Sequence, residues 1–253
     1  MGATGNREST PPFALPVGTP SAKTSLDRWS LDRWSLDAWA FWRQGSGTPA
    51  IAQGRAPIYG ASQAGATLNF RLAPSLRQDP RLYARAYRAL VAEGESELAA
   101  GVSARPFAAI PLRAHAEVRI TDNAFGAEVR PAAFVTTEFP PQSLPLGIVT
   151  EVYAQGGYVG GKTPTAFADG QITTMREVRE FKLNDRQRAK LSVGAGTWGG
   201  LQEDAKRLDV GPSMRLDVTI GKVPARLSVD WREQVAGDAS PGSGVAATLS
   251  TRF

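Results

Sequence analysis

The chain has 253 residues, 42% of them hydrophobic and 21% charged, and its 29 basic and 24 acidic residues give a formal net charge of +5. It contains no cysteine and one histidine, which excludes disulfide frameworks, thiol catalysis and a multi-histidine metal site within one chain. No apolar run is long enough for a transmembrane helix. Composition alone is therefore typical of a soluble, basic domain.

The first 35 residues predict a flexible, disordered linker. Residues 1–24 are rich in Gly, Pro, Ser and Thr and lack periodicity. The pentapeptide SLDRW then occurs twice from Ser25, followed by SLDAW at 35–39. A five-residue period fits neither a helix nor a strand, so we interpret it as a short duplication. No secretory signal peptide is visible, and we expect either that one was removed or that a longer protein continues upstream.

From residue 36 onward, apolar and polar residues alternate with period two, which predicts β-strands. In the clearest run, 207–220, Leu208 and Met214 fall on one face, whereas Asp209 and Arg215 fall on the other. Twelve strands are predicted, over 36–43, 63–72, 82–90, 97–105, 112–120, 127–135, 148–158, 169–178, 190–197, 207–220, 226–235 and 245–253. No segment sustains a helical period, so the sequence predicts an all-β fold.

Two architectures fit this alternation. A soluble sandwich or barrel would bury the apolar face, whereas a transmembrane, antiparallel up-and-down barrel of about 12 strands would turn it toward lipid. The polar faces are rich in small and charged residues, and the predicted strands approach the 9–11 residues of a membrane strand. The chain also ends on an alternating strand whose last residue is Phe253. These features favour the transmembrane barrel.

The last strand resembles the C-terminal signature of Gram-negative outer-membrane β-barrel proteins, with Leu249, Thr251 and Phe253 on the lipid face. The resemblance covers residues 36–253 and implies a bacterial outer-membrane location, contact with outer-membrane lipid and lipopolysaccharide, and recognition of those three residues by the barrel-assembly machinery. More loosely, a linker before a C-terminal barrel resembles the polysaccharide-export and phage-adsorption outer-membrane proteins. That likeness implies a periplasmic N-terminal domain or export partners.

The charged faces of the strands predict an Arg/Glu-lined lumen. The predicted lumen-lining residues are Arg71, Arg105, Arg113, His115, Glu117, Arg119, Arg215, Asp217, Arg226, Asp230, Arg232 and Arg252. Because these arginines are scattered and form no tract, no nucleic-acid partner is expected. Two interpretations stay open. The charges form a network that fills a narrow barrel, or they line a conduit that prefers anions.

Two features of the sequence bear on possible chemistry. Residues 156–163 match the P-loop pattern, but no helix is predicted after them to bind phosphate. His115 lacks an orienting partner for catalysis. The sequence therefore predicts no catalytic residue, cofactor or metal, and we expect no enzyme. The expected function is a pore or translocation module for a polymer or small anion; the alternatives are a soluble β-sandwich binding module and a plugged anchor or receptor.

The barrel hypothesis makes three further predictions. Extracellular connections are expected at 45–57, 160–167, 199–207 and 236–244, and shorter periplasmic ones at 139–145, 182–187 and 221–224. Pro131 and Pro212 need a bulge or a barrel end, because proline cannot donate to the ladder. Aromatic residues near strand ends, Tyr83, Phe167 and Trp198 among them, are expected in the interfacial girdles.

Overall fold

The structure is a computed structural model that describes residues 33–46, 61–91, 94–123, 126–162, 164–184, 187–202, 205–220 and 223–253. Thirteen strands and one short 3-10 helix, Pro145–Gly147, make up its regular structure. The strands are β1 (Trp34–Arg43), β2 (Gln63–Arg71), β3 (Arg81–Ala89), β4 (Ser96–Ala104), β5 (Leu112–Asn123), β6 (Gly126–Thr137), β7 (Gln142–Leu144), β8 (Ile148–Val159), β9 (Thr165–Asn184), β10 (Gln187–Gln202), β11 (Ala205–Ile220), β12 (Val223–Gly237) and β13 (Gly244–Arg252).

The strands form a closed antiparallel barrel of 12 strands. Most strands pair with their neighbours in sequence, and β1 pairs with β13 from Asp37↔Arg252 to Arg43↔Ala246. The ring is completed where β6 pairs with β8, while β7 adds a three-residue pairing to β8. No helix in the described part of the chain is long and apolar enough to cross a membrane. The predicted fold class is confirmed.

The apolar faces of the strands point outward. On β11, Leu208 and Met214 are 38% and 47% exposed, whereas Asp209 and Arg215, which directly follow them, are 2% and 7% exposed. The same pattern holds on every barrel strand, each of which exposes at least one large apolar residue. A soluble sandwich or barrel would bury this face, because exposed apolar surface is unfavourable in water. The arrangement is that of a lipid-facing barrel.

All twelve predicted strands are present, but the prediction of a connection at 199–207 is wrong. Residues 199–202 belong to β10 and residues 205–207 to β11, and Gly199 and Gly200 pair with Leu208 and Arg207. A ladder accepts the glycines and charged residues of this stretch. Strand β1 begins at Trp34, so the SLDAW copy lies within it. Residues 1–32 of the predicted linker and most of the 45–57 connection lie outside the described residues.

Both ends of the barrel sequence lie on one side, here called the terminus side; the opposite side is called the loop side. The terminus side carries the connections at 72–80, 105–111 and 138–147, and the loop side carries those at 90–95, 160–164 and 238–243. These terminus-side connections have 9, 7 and 10 residues, and each is longer than these loop-side ones, which have 6, 5 and 6. Among them the longer connections are not on the side predicted to be extracellular, and the assignment of one side to the periplasm stays a prediction.

Strand β9 continues past its partner β8 on the terminus side. Its pairing with β8 ends at Arg176, and the rest of β9 pairs only with β10. Side chains from Glu177 to Lys182 are exposed on both faces of this ribbon. Lys190 pairs with Glu177 at 2.9 Å, and Arg188 pairs with Glu180 at 3.5 Å. We call this extension of β9 and β10 the protruding ribbon.

The two prolines lie where the ladder tolerates them. Pairing between β11 and β12 is interrupted between Val210 and Ser213, on either side of Pro212. The carbonyl of Pro131 accepts the N–H of Gly160 at 2.8 Å, one residue beyond the end of β8. Pro131 thus lies at the loop-side end of the β6–β8 pairing, where a missing donor costs little.

Candidate functional site: the charged lumen

The barrel is a single layer, so a buried strand side chain points into the lumen. Six predicted lumen residues are buried: Arg113, Glu117, Arg119, Arg215, Asp230 and Arg232. The other six, Arg71, Arg105, His115, Asp217, Arg226 and Arg252, are half-buried. The prediction missed Asp79 and Glu138, which lie in connections where alternation gives no signal, and Arg43 at the end of β1.

Glu117 on β5 is the centre of one lumen network. Its carboxylate accepts hydrogen bonds from the Tyr83 hydroxyl at 2.8 Å, Arg85 Nη2 at 2.8 Å and Arg119 Nε at 2.5 Å. Arg85 also contacts Glu97 at 2.6 Å. The Glu117 side chain has 0% exposure. Strands β3, β4 and β5 are thereby cross-linked inside the barrel, because charge-assisted hydrogen bonds are the strong ones.

A second network covers the lumen at the terminus side, and we call it the mouth cluster. It consists of Arg71, Asp79, Arg81, Arg105, Arg113 and Glu138. Asp79, in the β2–β3 connection, accepts from Arg71 Nε at 2.8 Å, from Arg113 Nη2 at 2.8 Å and from Arg81. The N–H of Arg105 also donates to the Gln78 carbonyl at 2.7 Å. The β2–β3 connection is therefore tied across β4 and β5.

Both carboxylates of the mouth cluster lie outside the strands and are ionised. Burial raises the pKa of Asp79, but hydrogen bonds from Arg81 and Arg71 outweigh it and hold the pKa at about 2, below the ordinary 3.8. Burial also raises the pKa of Glu138, and hydrogen bonds from Arg113 and Arg105 bring it below its ordinary value. The cluster keeps its ion pairs at neutral pH.

A third network lies on β8 and β11–β12. Glu151 accepts from Arg215 at 3.0 Å and from Arg226 at 3.0 Å, and Arg226 also reaches Asp217 at 2.6 Å. Nearby, Asp230 accepts from Ser213 Oγ at 2.6 Å. These contacts order the arginines but leave the Nε of Arg215 without a hydrogen-bond partner among the described residues.

The loop-side mouth is covered in a similar way. Asp209 accepts from Arg43 Nη1 at 2.9 Å and from Arg207 Nε at 2.8 Å. Arg207 Nη1 donates to the carbonyl of Ala239 at 2.7 Å, and Arg43 Nη2 donates to that of Gly242 at 3.1 Å. The 238–243 connection therefore rests on buried arginines, and both mouths of the lumen are narrowed.

Between the mouths, a polar cavity remains on the β9–β13 side of the lumen. It is lined by hydroxyl and guanidinium groups, including Thr173, Ser213, Ser228, Arg215, Arg226 and Arg232. Arg232 is fixed there by Trp198, whose ring centroid lies 4.4 Å from its guanidinium carbon. The lining also includes Asp230, so the cavity combines hydrogen-bond donors with charges of both signs, and three of those charges are guanidinium groups that can bind small anions.

Aromatic residues also occupy the lumen, which corrects part of the girdle prediction. Tyr83, Phe167 and Trp198 are 7%, 8% and 2% exposed and face inward. Strand parity, and not distance from the strand end, decides which way an aromatic side chain points.

His115 stacks on Phe134 with ring centroids 4.4 Å apart. Its Nε2 lies 3.1 Å from Thr136 Oγ1.

The terminal and glycine-rich motifs also have clear positions. Leu249 and Phe253 are 52% and 60% exposed on the outer face, and Thr251 is half-buried, its Oγ1 donating to the Pro224 carbonyl at 2.9 Å. Their recognition by an assembly machinery stays a prediction.

Residues 156–162 end β8 and enter a hairpin with no following helix. No group of three or more potential metal ligands occurs within the described ranges.

An apolar exterior and a charged interior make the barrel a membrane-spanning one. The chain has the fold of an outer-membrane β-barrel. These properties agree with the predicted location in the bacterial outer membrane. No protein-family model matches the chain, and no curated protein matches it.

Solved structures with a similar arrangement are outer-membrane barrels. The β domain of the Bordetella autotransporter BrkA is 11% identical, with 88% of this chain and 99% of that chain covered and a TM-score of 0.49. The NanC porin is 7% identical, with 86% of this chain and 98% of that chain covered and a TM-score of 0.39. LpxR from Salmonella typhimurium is 12% identical, with 87% of this chain and 99% of that chain covered and a TM-score of 0.44. At these identities the likeness is one of fold only.

The expectation that the chain is not an enzyme is wrong as an exclusion. The barrels to which it is similar include LpxR, which is itself an enzyme. The sequence predicts no catalytic residue, but a barrel presents side chains on both faces, so the lack of a recognised motif does not exclude catalysis. The fold is compatible with transport and with catalysis.

Proposed function

We propose that the chain is an outer-membrane barrel through which small anionic solutes pass. The observation that supports this best is the lumen cavity lined by Arg215, Arg226 and Arg232 together with hydroxyl groups. Fixed guanidinium groups in a narrow passage favour anions through their field. Of the two solute classes predicted from the sequence, the small anion fits better, because buried ion pairs occupy the lumen above and below the cavity.

The test is planar-bilayer recording of the refolded full chain under a KCl gradient. Discrete openings with a reversal potential displaced toward that of chloride are expected. Arg215→Gln should reduce this displacement, since Arg215 lines the cavity. The matched control is Arg188→Gln, which removes the same charge from the protruding ribbon and should leave selectivity unchanged. Cation selectivity would contradict the proposal.

A second function, a closed membrane anchor for the upstream residues, is favoured by one observation. Connections held by buried arginines cover both mouths, at Asp79 on the terminus side and at Ala239 on the loop side. An anchor needs a stable barrel and no passage. Electrically silent membranes that contain folded barrel would support this second function and overturn the first.

A further inference from the structure

The mouth cluster has more guanidinium groups than carboxylates. Four arginines face two acidic side chains, Asp79 and Glu138. Arg113 joins the two halves, since its Nη2 contacts Asp79 at 2.8 Å and its Nε contacts Glu138 at 2.8 Å. The ends of five consecutive strands, β2 to β6, therefore carry one continuous arc of charge with a surplus of positive charge.

Two arginines of this arc keep donors available to solvent. Arg71 contacts Asp79 through Nε at 2.8 Å, and Arg105 contacts Glu138 through Nε at 2.5 Å. The terminal Nη groups of both donate no hydrogen bond to another described residue. Their side chains are 38% and 36% exposed, whereas Arg113 is 4% exposed. A buried arginine thus orders the acids, and two accessible forks remain for another oxyanion.

We propose that the mouth cluster is a binding site for a multivalent oxyanion, such as a phosphate-bearing or polycarboxylate solute. The proposal rests on the proposed anion passage and gives it an entry site on the terminus side. Arginine is suited to this task because its planar fork donates two parallel hydrogen bonds to one oxyanion. The hydrogen bond from Nε to a carboxylate fixes the direction of the two Nη groups before the ligand binds. This order lowers the entropic cost of binding.

The ligand is a solute rather than a lipid headgroup. Arg113 and Asp79 are buried inside the barrel, so the arc faces the lumen and its water. A solute and a lipid headgroup can both carry phosphate. Measuring binding in membranes of different lipid composition distinguishes between them. A headgroup site would be occupied in anionic lipid and free in zwitterionic lipid.

The probe is inorganic pyrophosphate, titrated calorimetrically into the full chain in phosphatidylcholine nanodiscs. Saturable binding is expected, with affinity reduced at least tenfold in the Arg71→Gln/Arg105→Gln variant. The control, Arg179→Gln/Arg188→Gln, removes the same charge from the protruding ribbon and should bind as the parent does. Absence of saturable binding, or equal loss in both double variants, would overturn the site. Loss of pyrophosphate binding in phosphatidylglycerol nanodiscs would show that a lipid headgroup occupies the site, and it would overturn the assignment of the ligand as a solute.

Folding and conduction are measured separately from binding. Heat-modifiable electrophoretic mobility reports the closed barrel, and Arg71→Lys/Arg105→Lys replaces the glutamine variant if that one fails to close. The lysine variant keeps the charge but lacks the fork, so weaker binding is expected, and undiminished binding would contradict a fork-based site. Pyrophosphate binding by an electrically silent barrel would remove the proposed passage and leave the site standing.

Discussion

At the scale of single residues, buried charges hold the lumen side chains in place. Glu117 is fully buried and accepts from Tyr83, Arg85 and Arg119. Removing one member of such a group leaves its buried partners unpaired. The resulting loss of stability is far larger than the stability that an exposed ion pair contributes. The stability of the barrel therefore depends on these acids.

Glu117→Gln should lower the free energy of unfolding by about 3–5 kcal/mol, the usual cost of breaking a buried ion pair. Arg85 and Arg119 would each lose a carboxylate partner. Urea unfolding of the barrel in lipid vesicles measures the effect. Lys190→Gln, at an exposed pair with Glu177, should change the same quantity by about 0–1 kcal/mol. Similar values for both variants would show that the lumen network does not stabilise the barrel.

Asp79→Asn should remove part of the acid sensitivity of the barrel. The pKa of Asp79 is about 2 in the folded chain, against 3.8 ordinarily. A carboxyl with a depressed pKa contributes stability that is complete above the ordinary value and is lost as pH falls through the folded value. The stability difference between parent and variant should therefore be constant above pH 5 and shrink between about pH 4 and 2. Asparagine also tolerates the positive φ of 44° at this position. Parallel pH curves would refute this assignment.

At the residue scale, the sequence is informative where alternation applies. Arg113, Glu117 and Arg215 could be assigned to the polar face of a strand because side chains alternate strictly. Asp79 and Glu138 could not, since a connection has no fixed period. Their roles arise from the closure of the barrel, which brings the ends of β2 to β6 together.

At the scale of elements, the pairing between β6 and β8 is the point at which the ring closes. It comprises five residue pairs, from Ala132↔Val159 to Thr136↔Gln155. Gly157 lies in it, and a Cβ there would come within 2.3 Å of the Phe134 Cβ. Only glycine permits this approach.

Gly157→Val should prevent closure of the barrel, because the added side chain would push β8 away from β6. Gly156→Val is the matched control, since the nearest atom to a Cβ there is the Phe167 carbonyl oxygen at 3.5 Å, an ordinary contact. Heat-modifiable mobility of the refolded variants distinguishes them: it should be lost for Gly157→Val and kept for Gly156→Val. Normal closure of the first variant would mean that β6 and β8 do not meet at this position.

Element positions followed from the sequence more readily than element ends. Each of the twelve runs of alternation became a strand, but β9 continues to Asn184 and β10 begins at Gln187, beyond the predicted bounds at 178 and 190. Charged residues in the protruding ribbon weaken the apolar alternation because both of its faces meet water. Cross-strand hydrogen bonds and pairs such as Lys190–Glu177 extend the strands there.

At the scale of the whole molecule, one feature decides between a soluble domain and a membrane barrel: which face of the sheet is inside. Composition cannot answer this, since either arrangement uses the same residues. The closed ring answers it, because the enclosed space holds Arg43, Asp209 and Arg232, and Leu208 and Met214 lie outside. Every functional inference for the lumen depends on that orientation.

The most direct test is cysteine scanning along β11, for which the cysteine-free chain is a ready background. Single cysteines at 208, 209, 213 and 214 carry an environment-sensitive fluorophore in the barrel refolded into vesicles. Brominated lipid should quench the label at Leu208 and Met214, and aqueous iodide should quench it at Asp209 and Ser213. Equal quenching at neighbouring positions, or the reverse alternation, would contradict a lipid-facing apolar surface and a charged lumen.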